Sequence, residues 1–271
     1  MLTSLPYYGG KSAGNANGTG PWIASLLGHD PSLAYIEPFA GMAGVLLCRV
    51  PAATEMLNDA DENIITWWRA VRDHGEEFQR LIDLTPHSRA EYCRCLDAIH
   101  EPDVSGLDRA LAVHVVLTQN AQRGLGAAPS QWTRNFDGGR VVTRYDLATL
   151  THRMRNVRLE CRDAVSILEA SADSPCVVYC DPPYTTATTE RYRVREFDKD
   201  AMASVLREHK GRVAVSGYRD EWDALGWVRN ELDVRSTANT TKRYESAARK
   251  TEVLWTNFQT EQPQQELWEA L

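Results

Sequence analysis

Val178-Tyr179-Cys180-Asp181-Pro182-Pro183-Tyr184 reads as a buried strand that runs into a turn it cannot cross. The apolar run Cys176–Cys180 has the length and the β-branched and aromatic content of a covered strand. Two prolines then remove two backbone donors and bias the residues before them toward extended backbone, so the strand stops with prolyl carbonyls that have no ladder partner. Asp181 adds acceptor oxygens and Tyr184 a flat face. Together these groups suit a planar heterocycle bearing an exocyclic amine: a carboxylate and a carbonyl accept its two N–H bonds while the ring stacks on the tyrosine. A plain strand terminator is the competing reading, and it leaves the acid and the aromatic unexplained.

Working outward, similar short runs occur at Ala34–Glu37, Glu55–Asn58, Val157–Glu160 and Arg212–Ser216. Helical patterns follow several of them, at Gly44–Arg49, Ala164–Ala170 and Ala201–His209. Strand, loop, helix, strand predicts an open, largely parallel α/β sheet. Gly226–Val234 and Glu252–Phe258 are strand-like and would close it as an antiparallel pair. Residues 62–156 break the alternation with successive helical patterns, Ile64–His74, Glu76–Leu84, Ala90–Ile99 and Leu107–Asn120. Two alternating runs, Gln131–Phe136 and Arg140–Tyr145, around Asp137-Gly-Gly then predict a β-hairpin. The layout is therefore a sheet domain from 1–61 and 157–271 with a mainly helical insertion at 62–156, and a loosely held tail from Glu261 to Leu271.

A second signal is Phe39-Ala-Gly41-Met-Ala-Gly44, directly after the Ile36 strand. Glycines let the backbone approach a ligand, and an opening helix would present free N–H groups to it. Asp59 ends the next strand 18 residues after Gly41, where a carboxylate can accept both hydrogen bonds of a ribose diol. Near the start, Gly10-Lys11-Ser12 imitates a phosphate loop, but Leu5 stands where that motif requires glycine and no strand precedes it. What remains is Tyr7 and Lys11 beside a flexible turn.

The 271 residues carry 43% hydrophobic and 25% charged side chains, which excludes a disordered, coiled-coil or collagen-like chain. No signal-peptide pattern opens the sequence and no apolar stretch is long enough to span a bilayer, so a cytoplasmic protein without membrane contact is expected. Six scattered cysteines without a Cys-x-x-Cys pair read as free thiols, and the seven histidines complete no metal-ligand spacing. The net charge of −7 hides an uneven distribution. Glu55–Arg109 holds 13 acids against 6 basic residues, whereas Gln119–Arg162 holds 8 arginines against 3 acids and Arg235–Lys250 5 basic residues against 1 acid. An acidic shell with two basic stretches still offers phosphates a landing surface; solvated faces are the alternative.

Asp-Pro-Pro-Tyr, Phe-x-Gly-x-x-Gly, the N-terminal Tyr-x-Gly-Gly-Lys and the final strand Lys250–Asn257 together resemble the Dam-like DNA adenine methyltransferases, in the order that family shows them. The resemblance covers nearly the whole catalytic part. It implies a seven-stranded, Rossmann-like S-adenosylmethionine (SAM) methyltransferase sheet with an inserted target-recognition domain, acting on an adenine flipped out of a DNA duplex without a metal. Residue by residue, it implies that Tyr7 and Lys11 close over SAM, that the loop containing Phe39 and Gly41 holds its methionine part, that Asp59 takes the ribose hydroxyls and that Asp163 sits near its adenine. Asp181, Pro182, Pro183 and Tyr184 would hold the target base, with Asp181 bordering both ligands.

The departure lies in recognition. GATC-reading members carry an Asn-rich, aromatic motif where this chain has Asn120-Ala-Gln-Arg123-Gly-Leu-Gly126, so GATC specificity is not implied. Arg123, Arg134, Arg140 and Arg144 are the candidate contacts to phosphates or bases. Arg140 and Arg144 share one strand face by the period of two, with Arg134 on the paired strand. Other amine substrates on the same fold (cytosine, RNA, protein glutamine) and a DNA-binding relative without turnover are the alternative functions. Asp at 181 disfavours cytosine and protein glutamine by resemblance, and the retained Lys11, Asp59, Asp181 and Tyr184 speak against the relative without turnover.

Overall fold

A computed structural model describes residues 2, 5–7, 9–11, 18–104, 106–120, 122–133, 147–183, 193–194, 197–235 and 249–260, with backbone alone at 233–235 and 249–250. Ala34–Glu37 (β1), Glu55–Asn58 (β2), Val157–Glu160 (β3), Cys176–Cys180 (β4) and Arg212–Tyr218 (β5) pair in parallel. Val228–Arg235 (β6) and Arg249–Thr256 (β7) complete a seven-stranded sheet of order β3-β2-β1-β4-β5-β7-β6, with β7 antiparallel to both its neighbours. The first four strands have the bounds expected from sequence, and β5 runs two residues further.

The strands alternate between two hydrophobic layers. Tyr35, Leu57, Val177, Tyr179, Ala214 and Leu254 face one side. Ile36, Val178, Cys180, Val213, Val215, Val253 and Trp255 face the other. All five residues of β4 are buried, as a central parallel strand covered on both faces must be. The helices that cover the second side are Ala164–Ser171, here numbered α7, and Lys199–Glu208, α8.

The first side is covered by Thr19–Leu27 (α1) and by Glu62–Asp73 (α2), Gly75–Leu84 (α3), Arg89–Ala98 (α4), Gly106–Thr118 (α5) and Leu147–Met154 (α6). Helices α2 to α5 match the expected run. Asp61 caps α2 by accepting the Asn63 N–H at 3.0 Å, and Ser88 caps α4 by accepting that of Glu91 at 3.1 Å. Their core is continuous with the sheet layer through Trp67, Trp68 and Phe78, all fully buried. The tie is also polar: Trp68 Nε1 donates to the Gly41 carbonyl at 2.9 Å, and Arg72 donates to that of Val157 at 3.0 Å.

Some expectations are corrected. Gly44–Arg49 does not form an α-helix; turns lead into a three-residue 3-10 helix at Leu46–Cys48, after which Arg49 is extended. Pro51 biases Val50 away from helical backbone, so the helix has no room to grow. Helices α1 and α6 were not foreseen, although Leu147, Leu150 and Met154 recur at helical spacing and are all buried. Gln131, expected to begin a hairpin strand, ends a 3-10 turn at Pro129–Gln131, and Trp132 makes a single bridge to Asn120. The rest of the expected hairpin, with Arg134, Arg140 and Arg144, lies outside the described residues, as do Tyr184 and the tail Glu261–Leu271. Among the described residues no helix is long and apolar enough to cross a membrane, and all six cysteines are free thiols.

One buried ion pair locks the start of β2 to the end of α6. Arg153 donates to Glu55 Oε1 at 2.8 Å and also to the Leu46 carbonyl at 3.1 Å, with both charged side chains nearly inaccessible. Removing one partner strands the other charge in the interior, which costs about 3–5 kcal/mol. Arg153→Ala is therefore expected to lower unfolding free energy in urea by that amount; a loss below about 1 kcal/mol would place the pair with ordinary surface bridges.

Candidate active site

The chain leaves β1 toward β2 and β3 on one side and returns at β4 to build β5 on the other, so β1 and β4 lie together where the strand order reverses. Open α/β sheets bind ligands outside the carboxyl ends of the strands at such a point. Here the loop after β1 and the Asp181-Pro182-Pro183 segment after β4 border one cleft that opens to solvent.

Gly41 is pinned at both ends of its residue. Its N–H donates to Asp59 Oδ2 at 2.9 Å, and its carbonyl accepts from Trp68. Its φ of +45° is left-handed, and a Cβ there would lie 3.3 Å from the Tyr7 ring. Glycine thus serves both the backbone conformation and the close approach of the aromatic. Asp59 accepts a second backbone bond, from Asp61 N–H to Oδ1 at 2.9 Å. Burial pushes its carboxyl up to about 6, against the pull of these two hydrogen bonds.

Beside it, Asp61 is 3% exposed. Its Oδ1 accepts from Asn63 and from Arg193 Nε and NH2 at 2.9 and 2.7 Å, while Oδ2 is buried without a hydrogen-bond partner among the described residues. Glu37, at the end of β1, is buried and accepts from the Tyr35 hydroxyl at 2.8 Å and the Leu46 N–H at 2.7 Å. Burial pushes it up to about 8, so it is largely neutral at pH 7. Phe39 meets Phe197 edge to face, ring centroids 5.6 Å apart, and both line the cleft.

Lys11 is 6% exposed, and its ammonium donates to Asp181 Oδ1 at 3.0 Å and to the Gly9 carbonyl at 3.3 Å and pairs with Glu252 Oε1 at 3.1 Å. Burial opposes its charge, but Asp181 and Glu252 outweigh that and hold it above the usual lysine range. Tyr179, two residues before Asp181 and on the same strand face, shares a hydrogen bond of 2.8 Å with Ser216 and also borders the cleft.

Of the residues singled out in the sequence, Tyr7, Lys11, Phe39, Gly41, Asp59, Asp163, Asp181 and Pro183 line this cleft, and Pro182 is buried beside it. Asp163 also caps α7, accepting the Ser166 N–H at 3.0 Å. Arg123 does not line the cleft. It is exposed beyond α5 at φ +56°, in a loop closed by Asn120, which accepts from Gln122 N–H at 2.6 Å and donates to the Gly124 carbonyl at 2.9 Å. Glu37, Asp61, Tyr179, Arg193 and Glu252 went unmarked in the sequence. Only Glu37 left a signal, an acid at the end of an otherwise apolar strand.

Gly41→Ala is expected to cost about 1–2 kcal/mol of stability through the left-handed backbone alone, with more if the Tyr7 ring is displaced. Chemical denaturation checks this, and an unchanged midpoint would show that the loop relaxes freely.

Comparison with solved structures finds a SAM-dependent methyltransferase from Agrobacterium tumefaciens at 12% identity and TM-score 0.42, the match covering 88% of this chain and 61% of that one. It also finds yhhF from Escherichia coli, described as a methyltransferase, at 13% identity and TM-score 0.34, covering 89% and 81%. The chain thus spans 61% of the length of the Agrobacterium protein. The comparison with curated proteins found no match. The family model of the D12 class N6 adenine-specific DNA methyltransferases matches residues 7–253, which takes in both halves of the sheet and every described residue of the cleft, and the chain belongs to that family.

Proposed function

We propose that this chain transfers the methyl group of SAM to the exocyclic amine of an adenine flipped out of duplex DNA, in the cytoplasm of a prokaryotic or phage-infected cell. The observation that carries the reading is the convergence of the Gly41 loop, Asp59 and the Asp181-Pro182-Pro183 turn on one cleft. A nucleoside fits the donor and acceptor set there. Each Asp59 oxygen accepts one backbone N–H and retains acceptor capacity for a diol, and the buried Asp61 Oδ2 offers a further acceptor on the same wall.

Bound SAM supplies an electrophilic methyl group on a positively charged sulfur. The protein's own part is binding and orientation. Tyr7 lies against the Gly41 loop and covers it, Phe39 and Phe197 form an apolar wall, and Asp163 stands at the edge of α7. Asp181 and the Pro182 carbonyl take the N–H bonds of the target amine and so aim its lone pair, with Tyr184 stacking on the base. Such positioning lowers the barrier by removing the entropy of encounter, and extrusion of the base is what brings the amine to the turn. Residues 62–156 serve as the target-recognition insertion, with Arg123, Arg134, Arg140 and Arg144 facing the DNA. The reading asks no step of a metal.

Asp59→Ala removes acceptors whose charged hydrogen bonds contribute about 1.5–3 kcal/mol, so SAM affinity measured by calorimetry should fall at least tenfold in the folded variant. In the unaltered chain, protonation of Asp59 should weaken SAM binding as pH falls through about 6. The same raised carboxyl makes the opposite contribution to stability: it favours the fold below the unfolded carboxyl value and loses that contribution as pH rises through about 6. Affinity and the Asp59 contribution to stability therefore move in opposite directions between pH 7 and 5, and a pH-independent affinity would sink the assignment.

Transfer of labelled methyl groups from SAM to defined DNA, followed by nucleoside analysis, tests the reaction itself. N6-methyladenine is the expected product, and a label on cytosine, RNA or protein would redirect the substrate. Asp181→Ala should abolish transfer while DNA affinity survives, because phosphate contacts lie elsewhere. Near-normal transfer by that variant would remove Asp-Pro-Pro-Tyr from the chemistry.

A further inference from the structure

Glu252 is the buried acid that the methyl-transfer reading leaves without a task. It lies on β7, opposite Tyr218 of β5 on one side and Leu232 of β6 on the other. Its backbone is therefore held by two ladders, and its side chain is 6% exposed. Its Oε1 stands 3.1 Å from Lys11 Nζ, and Asp181 Oδ1 stands 3.0 Å from the same nitrogen. The same ammonium also donates to the Gly9 carbonyl at 3.3 Å.

From this arrangement we infer that Glu252 is a positioning residue for methyl transfer, which holds Lys11 midway between two carboxylates so that Asp181 remains an anionic acceptor open to the target amine. The inference rests on the proposed adenine methylation. Two carboxylates and one ammonium leave this group of three with one net negative charge. Were Glu252 neutral, the ammonium would settle wholly on Asp181. The ion pair would then close on itself, and an N–H of the substrate would have to compete with a full positive charge for the same oxygen. The near-equal distances show a cation divided between its partners. Glu252 is also the partner on the more rigid support: β7 is an interior strand, whereas Asp181 begins a turn and Lys11 follows one. The antiparallel end of the sheet thus reaches into the chemistry through a lysine, without touching the substrate.

The test compares the full-length chain with Glu252→Gln, Glu252→Asp, Lys11→Met and the Glu252→Gln/Lys11→Met double variant. It measures single-turnover methyl transfer to DNA, SAM affinity by calorimetry and thermal stability. Glu252→Gln keeps the shape and an acceptor oxygen but loses the charge. Its transfer rate is expected to fall at least about tenfold with KM for DNA and SAM affinity within twofold. Glu252→Asp, which keeps the charge, should recover part of the loss. In the Lys11→Met background the Glu252 substitution should have little further effect, because the residue acts through the lysine. A Glu252→Gln rate within twofold of the unaltered chain overturns the inference, as do additive losses in the double variant or a rate loss matched by equal losses of SAM affinity and melting temperature. Should Glu252→Gln not fold, Glu252→Asp decides: a lowered rate with intact SAM binding supports the role, and an unchanged rate overturns it. Absence of transfer to adenine by the unaltered chain overturns the functional reading and this inference together.

Discussion

The pairing of β1 with β4, with Ile36 opposite Val178, is the constraint on which the site depends. Parallel neighbours end side by side, so the loop after one strand must face the loop after the other. Because the sheet grows away from this pair in both directions, nothing in the next strand layer covers the gap between their carboxyl ends. Each loop is then shaped by local chemistry. Prolines at 182 and 183 end β4 where Asp181 reaches the gap, and the left-handed Gly41 folds the other loop back until Tyr7 covers it. Packing on the two faces supports this geometry without entering it. Trp68 is the exception, since it anchors α2 in the core and also fixes the Gly41 carbonyl.

The parallel strands were legible because burial on both faces forces a short continuous apolar run, and Cys176–Cys180 is one. Asp59 and Asp181 were legible because each ends such a run. Glu252 and Asp61 were not, for different reasons. Glu252 owes its place to Lys11, which is far away in sequence, so no local period reveals it. Asp61 reads as an ordinary cap, which it is; its unpartnered Oδ2 appears only once Arg193 and the helix start have occupied the other oxygen. The missing helix after Gly44 is a failure of pattern against punctuation: the residues from 44 to 49 have helical spacing, and Pro51 overrides it.

The cleft is acidic. Among the described lining residues Glu37, Asp59, Asp61, Asp163 and Asp181 face it, against Lys11 alone. Crowding so many carboxylates around one cleft is unfavourable, and the protein answers in three ways. Backbone N–H groups bond Asp59, arginine and lysine pair with Asp61 and Asp181, and Glu37 gives up its charge at neutral pH. A positively charged ligand relieves what repulsion is left. In the proposed reaction the sulfonium of SAM would be such a charge, and its loss when the methyl group is transferred, leaving a neutral thioether, would restore the repulsion and favour release.

The same bookkeeping bears on how an acidic chain meets DNA. The acidic excess between 55 and 109 includes Glu55, Asp59 and Asp61, which point into the interior or the cleft and are screened from a phosphate backbone by the protein itself. The basic stretch from 119 to 162 is overcounted in the opposite sense: Arg153 is buried against Glu55 and unavailable to a partner. Arg123, Arg155, Arg158 and Arg162 are the exposed arginines among its described residues. Arg158 lies on β3, the edge strand, and Arg162 just beyond it, whereas Arg123 stands past α5, its backbone held in a left-handed turn by Asn120. A loop that keeps one arginine outward at the expense of backbone strain places that charge more narrowly than a solvated surface requires. In the proposed reading, Arg123 is an exposed charge that the duplex can reach, and the net charge of the whole chain carries little weight against such a contact.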